Sequence, residues 1–264
     1  MIIPAAEPVA FNLFGMPVYW YGVCLAAAIF LSILAGNAIL NRQYPYYKKD
    51  VIIASAPIII IAGIAGARLY FCLLNLPYYF THPLDTIDIR QGGLSIHGAL
   101  IFGIAAVIFT AKKNQIPVLR LLDAMGCATI LGQAIGRWGN YFNSEAYGYP
   151  TSGQNWGLFI PESRRVVEYS NYSLFHPAFL YESLLDLLGF FILCFIYFKF
   201  GKKYSGLAFF VYLILYSVIR FCTEQIRIDS ALNIGNIPIA QIISIVIFIF
   251  GVAGIAVLKY RKRS

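Results

Sequence analysis

The sequence predicts an all-α integral membrane protein with about seven transmembrane helices. Only 12% of its 264 residues are charged and 59% are apolar, whereas a soluble domain carries roughly 25% charged residues. Seven stretches are long and apolar enough to cross a bilayer, which takes about 20 residues. Lysine and arginine are concentrated in alternate connections, as in membrane proteins of defined orientation. We expect a single polytopic membrane domain over residues 1–264.

The seven predicted spans follow one another along the whole chain. They cover residues 18–40, 51–76, 93–111, 121–141, 177–198, 205–224 and 237–258. The first and the last contain no charged residue. Ionisable side chains interrupt the others: Arg68, His97, Asp123, Arg137, Glu182, Asp186 and Arg220. Asp123 is expected at the cytoplasmic start of span four, as a helix cap or an interfacial residue.

The distribution of basic residues predicts the orientation. Thirteen of the 20 follow spans one, three, five and seven: Arg42, Lys48, Lys49, Lys112, Lys113, Arg120, Lys199, Lys202, Lys203, Lys259, Arg261, Lys262 and Arg263. The opposite connections hold Arg90, Arg164, Arg165 and Arg227. Because cytoplasmic loops are enriched in lysine and arginine, the first group is predicted to be cytoplasmic. An odd number of spans then places the N-terminus outside and the C-terminus in the cytoplasm.

The longest predicted external connection lies between spans four and five, at residues 142–176. It is rich in Asn, Ser, Gly, Tyr and Pro, a composition typical of surface loops. We expect it to form a small extracytoplasmic head. The first residues lack the basic region of a cleavable signal peptide, so they are expected to lead into span one from outside.

Several classes of function are disfavoured. The net charge of +8 is explained by loop topology rather than by nucleic-acid binding. No Walker motif, HExxH motif or metal-ligand cluster is present, so no metal and no cofactor are expected. The sequence has no internal repeat of the kind many transporters show. The cysteines stand singly in apolar runs and are expected to act as small apolar residues: Cys24, Cys72, Cys127, Cys194 and Cys222.

Tyr21, His97, Arg137 and Arg220 are all predicted to lie near the outer ends of their spans. A charge in the bilayer core costs at least about 2.5–3.5 kcal/mol on insertion scales, so such residues are functional by default. Their convergence predicts a site in the outer half of the bundle. Structural roles remain open: an aromatic belt residue, a structural histidine, snorkelling arginines, or a pair of Arg220 with Glu224.

The segment 132–148, GQAIGRWGNYFNSEAYG, is the richest in functional side chains. Its glycines allow close backbone approach or a broken helix end. Asn140 and Glu145 add hydrogen-bonding groups beside Arg137, and a guanidinium in a polar cavity is a natural phosphate site. A glycine-mediated helix contact is the structural alternative. In the next segment, Pro177 suits a first helical turn and His176 is a candidate cap, while Glu182 is expected to pair with one of the arginines.

Together these segments resemble the prolipoprotein diacylglyceryl transferase family. The strongest match is GRWGNYFNSEAYG, which is similar to the family signature GR-x-GN-x-x-N-x-E-x-x-G. The residue after His97 and Gly98 is Ala99, where many members have a second glycine. The other matching segments occur in the family's order: YWYG (19–22), GGLSIHG (92–98), HPAFLYE (176–182), and RFCTEQIR (220–227) followed by Asp229.

The resemblance implies a reaction and its partners. The diacylglyceryl group of phosphatidylglycerol is transferred to the thiol of a lipobox cysteine in the signal peptide of a secreted prolipoprotein. A thioether forms and glycerol phosphate is released. The expected location is the bacterial cytoplasmic membrane, with the active site toward the extracytoplasmic side.

The resemblance also implies roles for individual residues. His97 would act as the base for the thiol, although a thiolate assisted only by arginine remains open. The two arginines would stabilise the phosphate, oriented by Glu145 and Glu224, and Gly148 would let the chain turn close to the lipid. The implied catalytic residues are His97, Arg137, Arg220 and Tyr21. The implied phosphatidylglycerol-binding residues are Arg137, Asn140, Glu145, Gly148, Arg220 and Glu224.

Two other classes of function fit some of the same residues. A transporter or channel for an organic anion or proton also uses intramembrane Arg, Glu and His. Its pathway would require polar residues in the cytoplasmic half, whereas these are predicted to lie in the outer half. A lipid-binding protein without catalysis is the third class, and in that case His97 would be dispensable.

Overall fold

The computed structural model describes residues 2–88, 92–151, 155–228, 233–235 and 237–260. Seven helices within this described part are long and apolar enough to cross a membrane. The predicted fold class is therefore confirmed, while the orientation and the single domain over residues 1–264 stay predictions. Five residues used in the sequence argument lie outside the described residues: Arg90, Asp229, Arg261, Lys262 and Arg263.

The described residues contain eight α-helices, and all of them except the short third helix are candidate membrane spans. Each predicted span agrees with one helix to within three residues at both ends. The helices are α1 Trp20–Gln43, α2 Val51–Leu74, α3 Leu76–Thr81, α4 Ile96–Lys113, α5 Val118–Asn143, α6 Ala178–Phe200, α7 Leu207–Glu224 and α8 Ile239–Tyr260. The strands are β1 Ile2–Ile3, β2 Val9–Leu13, β3 Met16–Tyr19, β4 Gly157–Phe159, β5 Leu174–Phe175, β6 Asn233–Ile234 and β7 Ile237–Pro238.

The chain forms two compact units. The smaller unit is Gly36–Leu122, and the larger unit combines Met1–Ala35 with Asp123–Ser264. In the smaller unit α2 packs against α4. Gly98 allows this approach, because a Cβ atom there would collide with the backbone of Gly66.

In the larger unit α7 packs against both α6 and α8. The start of α7 is capped by Asp123, which accepts hydrogen bonds from the backbone N–H groups of Gly206 at 2.6 Å and Phe209 at 2.8 Å. Gly206 offers no side chain for this purpose and adopts a φ of +97°, so a carboxylate from another helix satisfies the free N–H groups of the first turn. The capping role expected for Asp123 is therefore observed, on α7 rather than on its own helix α5.

The segment between α5 and α6 forms a small head with its own core. Strands β4 and β5 are antiparallel, and β1 from the N-terminus joins β4 in parallel, so the sheet order is β1-β4-β5. Leu158 and Phe175 of this sheet form a cluster of buried apolar side chains with Tyr147, Ile160 and Phe179, the last of which belongs to α6. A head of this kind was predicted at residues 142–176, but the contribution of the N-terminal strand was not.

Candidate active site

Three helices of the larger unit bring four charged side chains together. Arg137 Nη2 lies 2.5 Å from Glu182 Oε1, and Arg220 Nη1 lies 3.9 Å from the same oxygen. The second guanidinium nitrogen of Arg220, Nη2, lies 2.6 Å from Glu224 Oε2. We call Arg137, Glu182, Arg220 and Glu224 the arginine cluster.

The positions of these residues in the sequence explain the cluster. Arg137 is near the end of α5, Glu182 near the start of α6, and Arg220 and Glu224 are one turn apart at the end of α7. Both carboxylates are almost fully buried, with 3–4% of the side chain exposed, whereas the arginine side chains retain 22% and 17%. Buried charges are tolerated only in pairs or networks, so the carboxylates and the guanidinium groups stabilise one another here.

Polar side chains extend the arginine cluster along α6 and α7. Asp186 is 2% exposed and lies within electrostatic range of Glu182 and Arg137. Tyr216, one turn before Arg220, lies within range of both arginines. Asp186 had no predicted role, and Tyr216 was not predicted to belong to a site, because it lies in an apolar span. The one available signal was the four-residue spacing of Tyr216 from Arg220, which places both on one face of α7.

The glycine-rich end of α5 shapes the region around Arg137. A Cβ atom on Gly139 would lie 2.9 Å from Cδ2 of Tyr21, so the tyrosine ring packs directly on the α5 backbone. Asn140 Nδ2 donates a hydrogen bond to Glu145 Oε1 at 2.9 Å, and the Glu145 N–H donates to the Asn140 carbonyl at 3.0 Å. These two bonds close the turn that ends α5.

The partner expected for Arg137 requires a correction. Glu145 was expected to orient Arg137, but it is exposed and contacts Asn140. The carboxylate on Arg137 is that of Glu182, and the expected pairing of Glu182 with an arginine is observed with both. Glu145 belongs to the turn after α5, whereas Glu182 faces Arg137 from α6.

Gly148 occupies a crowded junction between the head and the helices. Its N–H donates to the His176 carbonyl at 2.9 Å. A Cβ atom would lie 2.7 Å from Cγ2 of Ile226 and 2.8 Å from Cβ of His176. Protein atoms therefore fill the space beside this glycine, and its closest contacts hold the head segment against the start of α6 and the chain after α7.

His176 does not cap α6. Its Nδ1 lies 3.1 Å from the hydroxyl of Tyr181, and the residue flanking the helix is Pro177, which makes no side-chain capping bond. Within the described residues, no group of His, Cys, Asp and Glu side chains could hold a metal ion.

His97 and Arg68 both belong to the smaller unit. His97 lies in the first turn of α4, exposed, with its ring 6.0 Å from that of Tyr70. Arg68, whose role was open, donates hydrogen bonds to the backbone carbonyls of Thr86, Gly92 and Gly93 at 2.9–3.0 Å and also to that of Asp85. The larger unit brings Tyr21, Arg137, Asn140, Arg220 and Glu224 to the ends of its helices.

A family model described as prolipoprotein diacylglyceryl transferase matches residues 8–257. This chain belongs to that family. Among its relatives are phosphatidylglycerol–prolipoprotein diacylglyceryl transferases from several bacteria. The one from Acaryochloris marina is 40% identical over 263 residues, covering 100% of this chain and 94% of the relative. The one from Thermotoga petrophila is 41% identical over 252 residues, covering 94% and 84%.

A third relative, from a Synechocystis species, is 40% identical over 264 residues and covers 97% of this chain and 91% of its own length. The resemblance noted from the motifs is thus confirmed, and the chain is a multi-pass transferase. The transporter alternative receives no support from these relatives.

Proposed function

We propose that this protein transfers the diacylglyceryl group of phosphatidylglycerol to the thiol of a lipobox cysteine in a secreted prolipoprotein. The products are a thioether-linked diacylglyceryl cysteine and glycerol phosphate. The reaction takes place on the extracytoplasmic side of the bacterial cytoplasmic membrane. The single observation that supports it best is the arginine cluster, in which two guanidinium groups face one point at the ends of membrane-spanning helices.

The chemistry demands such a pair of cations. The sulfur attacks the lipid carbon that carries the phosphate, a carbon–sulfur bond forms, and the carbon–oxygen bond breaks. The bonding electrons stay on the phosphate oxygen, so the leaving phosphate gains a negative charge. Arg137 and Arg220 stabilise that charge, and cations placed where charge develops lower the barrier of such a step.

The thiol has to lose its proton for this attack. A free cysteine thiol has a pKa of about 8.5, so only a small fraction is thiolate at neutral pH. His97 is the proposed acceptor, since histidine is the side chain best suited to proton transfer near neutral pH. Tyr21 and Asn140 are proposed to hydrogen-bond the phosphate or the headgroup glycerol.

Glu145, Gly148 and Glu224 support the proposed phosphatidylglycerol-binding site. Glu145 holds Asn140, and Glu224 holds Arg220. Gly148 joins the head to the helix ends. No metal or cofactor is required, because the phosphate is already a leaving group and the thiol comes from the substrate.

Reconstitution with defined substrates tests the activity. The pure protein in nanodiscs containing phosphatidylglycerol is incubated with a lipobox peptide, and mass spectrometry is used to detect diacylglyceryl addition to the peptide cysteine. A peptide with serine in place of that cysteine and nanodiscs of phosphatidylcholine alone are the matched controls, and neither should yield product. Absence of the adduct with the complete mixture would refute the proposed function.

Labelling in intact cells tests the orientation. Single cysteines placed at Asn155 and Asp88 should react with an impermeant maleimide from outside. Cysteines at Lys113 and Lys202 should react only after permeabilisation, since they lie in the connections rich in basic residues. The reverse pattern would place the arginine cluster at the cytoplasmic face and contradict the proposed side of the reaction.

A further inference from the structure

Glu182 is shared between the two arginines of the candidate site. One oxygen, Oε1, is 2.5 Å from Arg137 and 3.9 Å from Arg220, and the side chain is 4% exposed. Glu224 differs, because within the described part of the chain it pairs with Arg220 alone, one turn away on the same helix. Glu182 therefore occupies the point that both guanidinium groups face.

The charges of the cluster make this position significant. Two arginines and two glutamates balance one another, so the cluster carries no net positive charge while both carboxylates are paired. A lipid phosphate would add a third negative charge among groups that are largely out of water, where like charges repel strongly. One carboxylate has to give up its contact with an arginine when a phosphate binds.

The geometry identifies Glu182 as the carboxylate that yields. Among the described residues, Arg220 Nη1 is buried without a hydrogen-bond acceptor, and its distance of 3.9 Å to Glu182 is longer than a hydrogen bond. Arg220 is held instead by Glu224 at 2.6 Å. The donors that face Glu182, Nη2 of Arg137 and Nη1 of Arg220, are those that two oxygens of a phosphate would require.

We infer that Glu182 is an exchangeable counter-ion of the lipid phosphate. It keeps both guanidinium groups directed at one point, the phosphate of phosphatidylglycerol replaces it there, and it pairs with them again as glycerol phosphate leaves. Glu182 is thus a positioning residue that acts on the lipid through Arg137 and Arg220. The inference rests on the proposed function. It adds that the Glu182 carboxylate competes with the lipid phosphate for the two arginines.

Glu182→Gln tests the inference through the sign of an affinity change. The amide keeps the shape of the side chain but removes the competing charge, so glycerol phosphate should bind more tightly. Close charge pairs contribute enough to binding that a change of about tenfold or more is expected. A residue that served only as a scaffold for the arginines would weaken binding when replaced. Titration of the nanodisc-embedded protein with glycerol phosphate, followed by ³¹P NMR, distinguishes the two.

Kinetics give a second readout. In Glu182→Gln steady-state turnover should fall relative to the single-turnover rate of transfer, since the product dissociates slowly. Inhibition by added glycerol phosphate should strengthen in parallel. Equal or weaker binding of glycerol phosphate by a folded Glu182→Gln protein would overturn the inference.

Two further variants complete the experiment. Asp186→Asn removes a buried carboxylate one turn further along α6 that forms no ion pair in the described part of the chain, and it should change the affinity much less. Should Glu182→Gln not fold, as judged by its thermal unfolding, Glu182→Asp shortens the carboxylate and should shift the affinity in the same direction by a smaller factor. A wild-type protein that neither binds glycerol phosphate nor transfers lipid would refute the proposed function itself, whatever these variants do.

Discussion

Arg68 in the smaller unit and the arginine cluster in the larger unit both lie within membrane-spanning helices, but their partners differ. Arg68 is 8% exposed and donates to backbone carbonyls of the chain between α2 and α4, including those of Thr86 and Gly93. Its guanidinium also lies 5.3 Å from the ring centre of Tyr79. These carbonyls belong to the main chain and cannot leave without unfolding the segment that carries them.

In the arginine cluster the partners are side-chain carboxylates. A side-chain carboxylate, unlike a backbone carbonyl, is not fixed by the course of the main chain, so another anion can take the place of Glu182 beside Arg137 and Arg220. An arginine within a membrane-spanning helix therefore indicates a ligand site only when its partners can exchange. Arg68 is a structural clamp on the segment before α4, whereas the cluster is suited to bind and release a phosphate.

Replacing Arg137 should produce the largest effect. Arg137→Lys keeps the charge but loses the planar fork that binds phosphate through two donors. We expect transfer to fall at least about 100-fold, as when one donor to a developing anion is removed, and almost as far as in Arg137→Ala. Rates are measured by single turnover in nanodiscs. Arg164→Lys in the exposed head is the matched control and should remain near wild type, and normal activity in Arg137→Ala would exclude the cluster as the active site.

His97→Gln should have the next largest effect. It tests whether a residue of the smaller unit takes part in the reaction. A lost general base typically slows a reaction by about 10²–10⁴-fold, while the affinity for phosphatidylglycerol should be unchanged. Raising the pH should restore part of the rate, because more of the substrate thiol ionises unaided. His82→Gln is the control, since that exposed ring stacks on Tyr78 at 4.5 Å and lies within hydrogen-bond distance of the Thr81 hydroxyl and the Tyr78 carbonyl, away from the arginine cluster in the sequence. A rate and pH profile equal to those of the wild type would make His97 structural.

Substitution of Arg68 should affect stability more than catalysis. Arg68→Lys cannot serve several carbonyls at once, so the variant should lose about 2 kcal/mol or more of stability, as expected for broken hydrogen bonds to a charged group. The folded protein should still bind phosphatidylglycerol with wild-type affinity. Thermal unfolding and lipid titration are measured side by side. Loss of lipid binding with unchanged stability would show that Arg68 binds a ligand, as proposed for the arginine cluster, and is not structural.

The smallest effect is expected from the cysteines. Replacing all five by alanine or serine should leave substantial transferase activity, since the nucleophile belongs to the substrate. The most informative position is Cys222, which lies between Arg220 and Glu224 in the sequence and is exposed. Activity is measured with the lipobox peptide, and wild-type protein is searched for a lipid adduct by mass spectrometry. An adduct on one cysteine together with inactivity of the folded variant would indicate a covalent intermediate on the enzyme.

The helices were more predictable than the contacts between them. All seven spans were located to within three residues, and the Arg220–Glu224 pair was anticipated because residues four apart on a helix are neighbours. The predicted partner of Arg137 was wrong. Glu145 was expected because it is close in sequence, whereas the partner in the structure, Glu182, lies on another helix. Tyr216 was missed because it lies in an apolar span; its four-residue spacing from Arg220 was a signal in the sequence, but only packing shows that it is also within range of Arg137.

The spans and the family can be read from the sequence alone, and the residues proposed to bind a phosphate were chosen from it. Membrane insertion depends on about 20 consecutive apolar residues, which is a local property of the chain, and the motifs are read directly. The three-dimensional packing was needed to show which carboxylate contacts which arginine and that Arg68 donates to backbone carbonyls. Those contacts depend on how each helix is rotated and packed against its neighbours, and this is set by side chains distant in sequence, such as Glu182 on α6 facing Arg137 on α5.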